Sequence, residues 1–109
     1  MSTVTVYPGA EVVFDPNDKK VIVFDFDTTN LAVGATLASY TLTITAIRQS
    51  GLTALTKDND TLTAASRKVQ ARFLATTATL GDEYEVTVKG VTNESPAQEK
   101  NYSIRILIQ

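Results

Sequence analysis

The tightest constraint on this chain is a two-residue alternation of apolar and polar side chains. From Ser39 to Gln49, Tyr40, Leu42, Ile44 and Ala46 fall on one face, and Thr41, Thr43, Thr45 and Ile47 on the other. The period recurs at Tyr84, Val86 and Val88 against Glu83, Glu85, Thr87 and Lys89. It recurs again at Tyr102, Ile104, Ile106 and Ile108 against Ser103 and Arg105. Successive side chains of a strand point to opposite sheet faces, so the pattern predicts half-buried β-strands. Shorter strands are predicted at Ala10–Phe14, Val21–Phe26, Leu52–Thr56, Thr61–Ala65 and Lys68–Ala75. Seventeen threonines suit a pleated surface, where a β-branched side chain packs well.

Turn chemistry separates these segments. Asp15-Pro16-Asn17-Asp18, Ser50-Gly51, Lys57-Asp58-Asn59-Asp60 and Leu80-Gly81-Asp82-Glu83 read as turns, and Thr92–Lys100 as a polar loop. No sustained 3.6-residue pattern competes. Residues 64–77 have helix-tolerant composition, yet Val69, Ala71 and Phe73 alternate with polar residues. Asn30 to Gly34 is the one place where a helical turn is expected. Seven to eight short strands predict an all-β fold, an immunoglobulin-like Greek-key β-sandwich. At 109 residues the chain has room for one core, assigned to residues 10–109.

Two local features refine this. Gly81-Asp82-Glu83-Tyr84 has the form of a tyrosine corner. The Tyr84 hydroxyl is then expected to bond backbone a few residues upstream, and strand 84–91 to lie beside strand 102–108. Residues 1–9 read as an extended N-terminal arm, because Pro8-Gly9 separates Val4, Val6 and Tyr7 from the first strand. Such an arm adds to a neighbour's sheet edge; an ordinary first strand is the equal alternative. With Ile47, Leu52 and Leu55, these residues form the candidate protein interface: Val4, Val6, Tyr7, Ile47, Leu52 and Leu55.

Composition narrows the chemistry. The chain has no Cys and no His, so it offers no disulfide, no thiolate or imidazole metal site, and no Ser–His–Asp triad. The acids fall in turns or on outward strand positions, which does not suit a buried glycosidase pair. Asp58-Asn59-Asp60 resembles the start of a calcium loop, but Thr63 and Val69 stand where Gly and Glu are needed. Ten basic residues are dispersed and net charge is −2, so no nucleic-acid partner is expected. No apolar run approaches a membrane span, and residues 1–8 lack the regions of a signal peptide. The expectation is a non-enzyme with no catalytic residues, no metal and no cofactor. A stand-alone carbohydrate- or ligand-binding module is the alternative.

The order of these pieces resembles small tailed-bacteriophage structural proteins of the fiber-tail adaptor type. The resemblance runs from Asp15 to Gln109. It rests on the Asp15–Asp18 turn, Phe24-Asp25-Phe26-Asp27, Leu31 and Gly34-Ala35-Thr36-Leu37-Ala38-Ser39. Gly51-Leu52-Thr53, the strand from Val69, the Gly81–Tyr84 turn and the Ile-rich last strand continue it. Phe26 and Asn30 stand where Trp is common in that group, and Ala35 where an acid is usual. The resemblance implies an immunoglobulin-like sandwich that acts as a virion component after synthesis in the host cytoplasm. It implies a ring of copies that docks tail, neck, baseplate or fiber proteins, with no catalytic residues.

Overall fold

A computed structural model describes residues 2–29, 31–48, 55–63, 67–75 and 80–109. The predicted all-β fold is present. Eight strands run in the order β1 (Ser2–Val6), β2 (Glu11–Phe14), β3 (Lys19–Asp25), β4 (Leu37–Arg48), β5 (Thr56–Thr63), β6 (Lys68–Leu74), β7 (Glu83–Thr92) and β8 (Glu99–Ile108). They form two four-stranded sheets, β1-β3-β6-β5 and β2-β8-β7-β4. The chain crosses between sheets after β1, β2, β3, β4 and β6, while β5–β6 and β7–β8 are antiparallel neighbours in one sheet. Strands β3, β6 and β5 therefore take the B, E and D places of an immunoglobulin-type sandwich, and β4, β7 and β8 the C, F and G places.

Alternation places the core. The inward rows Val69, Ala71, Phe73; Tyr84, Val86, Val88; and Tyr102, Ile104, Ile106, Ile108 are all buried. Phe24 stands edge-on to Phe73 and Tyr102, with ring centroids 6.1 and 5.5 Å away, and Phe26 packs on Tyr102 at 5.2 Å. Gly90 lets the sheet close on this cluster: a Cβ there would lie 2.8 Å from Leu37 Cδ2 and 3.0 Å from Phe26 Cε2. The Asp15–Asp18 turn forms as its chemistry dictates. Asp18 N–H donates to Asp15 O at 3.0 Å, with Pro16 at the second position and Asn17, φ 69°, at the third.

Three expectations are corrected. The N-terminal arm does not leave the sandwich. β1 pairs in parallel with β3, from Ser2↔Lys20 to Val6↔Phe24. Val4 packs on the core and Val6 is 4% exposed, and the Tyr102 hydroxyl donates to Val6 O at 2.5 Å. Pro8-Gly9 reverses the chain into β2 rather than releasing it.

Lys57-Asp58-Asn59-Asp60 is not a turn between two short strands but part of one strand, β5. β5 is an edge strand with an irregular register between Asp58 and Thr61 and Asn59 at φ 52°, so its polar residues stay outside the core, with Lys57, Asp58 and Asp60 half-buried. The only helical element among the described residues is a single 3₁₀ turn at Phe26–Thr29, ahead of the expected Asn30–Gly34 turn. Asn30 itself lies outside the described residues.

Candidate docking surface at one end of the sandwich

One end of the sandwich gathers the β3–β4 connection, the start of β6 and the β7–β8 connection. In the β3–β4 connection, Ala35 N–H donates to Ala32 O at 3.0 Å and closes a four-residue turn. Gly34 sits at the third position with φ +81°, which a type II turn requires and a Cβ disfavours. Val33, at the second position, is fully exposed, while its neighbours Leu31 and Ala35 are buried.

Arg67, in the turn just before β6, holds this loop. Its Nη1 donates to Ala32 O at 3.2 Å and Ala35 O at 2.5 Å, and its Nη2 to Leu31 O at 3.5 Å. Its own carbonyl accepts from Phe26 N–H at 3.1 Å. The β7–β8 connection is tied in as well. Thr36 N–H donates to Asn93 Oδ1 and Asn93 N–H returns to Thr36 O, both at 2.9 Å. Thr92 and Gln98 close that loop through Thr92 N–H to Gln98 O and Gln98 N–H to Thr92 Oγ1. A guanidinium that donates to backbone carbonyls makes stronger bonds than a neutral donor. The loops are therefore held in shape before anything binds, which lowers the entropy cost of docking.

The side between β4 and β5 carries a linked set of polar groups. The Tyr40 hydroxyl donates to Asp60 Oδ2 at 2.7 Å, and Lys57 Nζ to Asp60 Oδ1 at 3.0 Å. Burial, then the Asp60 bond and charge, push the Tyr40 phenol up to about 12. The Tyr40 and Lys57 bonds hold the Asp60 carboxyl below its ordinary value. Asp58 forms a two-point bond with the Arg72 guanidinium, which lowers the Asp58 carboxyl in the same way. The carboxylates considered as a calcium loop thus face protein donors.

The candidate interface residues are dispersed. Val6 and Leu55 are core, at 4% and 3% exposure, so neither can meet a partner in this fold. Val4 is half-buried against the core. Tyr7 and Ile47 are exposed at 65% and 47%, but at opposite ends of the sandwich: Tyr7 follows Val6, which lies opposite Phe24, while Ile47 lies beside Glu83 and Tyr84. Leu52 lies outside the described residues.

Tyr84 sits where a corner tyrosine should, with β7 beside β8. Its bond partner differs from expectation. The hydroxyl donates to the buried Asp82 carboxylate at 3.3 Å rather than to an upstream carbonyl, and the Leu55 backbone also bonds it. Burial and then the Asp82 charge raise this phenol above its ordinary value. The Asp82 bond is long, so Tyr84→Phe is expected to cost only about 1 kcal/mol. Urea unfolding would read this as a lower midpoint at unchanged slope.

Sequence reading missed Val33, Arg67 and Asn93. Nothing local marks them, since Arg67 bonds residues 32 to 36 positions away and Asn93 bonds one 57 away. A shallow groove of about 200 Å³ lies elsewhere, lined by Gly9, Glu11, Glu85, Ser103, Ile104 and Arg105. It is smaller than the roughly 300–1,000 Å³ usual for small-molecule sites.

The fold has a counterpart among solved structures. A cysteine protease inhibitor from Entamoeba histolytica aligns with a TM-score of 0.51 and 13% identity, over 99% of this chain and 97% of that one. At that identity the likeness carries the sandwich and not the activity. No protein-family model matches the chain, and no curated protein matches it.

Proposed function

We propose that this chain is a non-enzymatic structural or adaptor subunit of a tailed-bacteriophage virion, which docks tail, neck, baseplate or fiber proteins through protein–protein contacts. The motif order from Asp15 to Gln109 supports the virion assignment. The observation that carries docking is the locked loop end. An apolar side chain, Val33, stands fully exposed on a turn held by Arg67 and flanked by the Thr36–Asn93 pair. Rigid loops at one end of a sandwich are also where immunoglobulin variable domains bind. An anchor of this kind fills a partner's pocket with little ordering cost. In the assembled particle the copies form a ring, each presenting the same loop end.

Val33→Asp tests this. The residue touches no core, so the isolated domain is expected to keep its stability within about 0.5 kcal/mol. Incorporation into particles is expected to fall at least about tenfold, because a carboxylate is driven into an apolar pocket. Incorporation equal to wild type would move the docking surface away from this loop. Absence of the wild-type chain from purified particles would remove the virion assignment.

A further inference from the structure

The four sheet edges are not equally protected. β1 has five residues and β2 four, too short to template a long pairing. β5 carries Lys57, Asp58 and Asp60 and an irregular register. Short length, charge and bulges are the usual devices that keep an edge from pairing. β4 has none of them over its centre. It is twelve residues long, uncharged from Leu37 to Ile47, and regular from Ser39 to Ala46. Its only strand neighbour among the described residues is β7, so its outer backbone groups form an open edge.

The sequence of that edge is complementary to itself. In an antiparallel pair, residues opposite one another lie on the same face. About a two-fold axis at Thr43, Thr43 meets Thr43 and Thr41 meets Thr45 on the outer face. On the inner face Leu42 meets Ile44 and Tyr40 meets Ala46. Hydroxyl faces hydroxyl and carbon faces carbon. The single charge, Arg48, lies at the end of the strand and meets no second charge. The flanking β5 charges are already paired within the chain, Lys57 with Asp60 and Arg72 with Asp58. Among the described residues, no unpaired charge on this side meets a like charge of a second copy.

We propose that two copies of this chain pair antiparallel through β4, joining their β2-β8-β7-β4 sheets into one eight-stranded sheet. The inference rests on the β4 edge alone. It depends neither on the loop end nor on the virion reading, so it can fail or hold without them. The contact is a single strand edge, narrower than the roughly 1,600 Å² of a standard interface. The dimer is accordingly weak and concentration-dependent.

Sedimentation equilibrium of the full chain, from about 5 µM to about 1 mM, tests it; contacts of this narrow class are read in that range. Wild type is expected to pass from monomer to dimer. Thr43→Lys and Thr43→Glu each set like charges across the two-fold and are expected to stay monomeric, with unchanged melting temperature. An equimolar mixture of the two variants is expected to recover a heterodimer, which only pairing of this edge with its own copy predicts. Three results would overturn the proposal: wild type monomeric throughout, dimerisation of Thr43→Lys equal to wild type, or no heterodimer in the mixture. The first would leave the β4 edge for a different protein.

Discussion

Phe24→Ala is expected to lower the stability of the domain by about 3–5 kcal/mol. Phe24 is fully buried in β3, and its ring meets Phe73 in its own sheet and Tyr102 in the opposite one. Truncation removes the aromatic area and both edge-to-face contacts, and leaves a cavity between two sheets that cannot collapse without breaking their registers. A domain of this size holds about 5–15 kcal/mol in all, so the variant is left near its threshold. Urea unfolding with an unchanged slope would measure the loss. A loss below about 1.5 kcal/mol would mean that the inter-sheet cluster is not packed as described.

The features around Phe24 were the most legible ones in the sequence. Strict alternation at Val69–Phe73, Tyr84–Val88 and Tyr102–Ile108 announced which side of each strand is core, because one face of each sheet is dry and the other wet. Where alternation was weak, the reading failed for identifiable reasons. Lys57-Asp58-Asn59-Asp60 looked like a turn because its residues are turn formers. Edge placement and pairing with Arg72 and Tyr40 made a strand of them instead. Residues 1–9 looked like an arm because Pro8-Gly9 breaks a strand. Whether the chain then leaves or folds back depends on Val6 O meeting the Tyr102 hydroxyl, a contact across 96 residues. Leu55 seemed an edge residue and is core.

The loop end was not legible at all. Its shape comes from Arg67, and Arg67→Ala is expected to cost about 1.5–3 kcal/mol, the range for hydrogen bonds to a charged donor. The loss differs in kind from that at Phe24. Leu31 O, Ala32 O and Ala35 O would exchange the guanidinium for water, while the two sheets keep their pairing. Amide hydrogen exchange separates the two cases. In Arg67→Ala, protection is expected to fall at Ala35, whose N–H closes the turn, and to hold at Val86 and Ile104. Uniform loss across both sheets would make Arg67 a general support rather than the holder of a docking turn. Docking should weaken in this variant even with Val33 intact, because the turn must then be ordered on binding.

On the proposed function, this chain is a shaped surface inside a virion, engaged through the end that carries Val33. Cross-linking mass spectrometry of purified particles tests it most directly. Lys68 begins β6 and Lys100 is the second residue of β8, both at the loop end, whereas Lys19 and Lys57 lie at the opposite end, both near Leu74. Links from Lys68 and Lys100 to a tail, neck, baseplate or fiber protein are expected. Particles that lack the chain, or that link to other proteins only through Lys19 and Lys57, would contradict it.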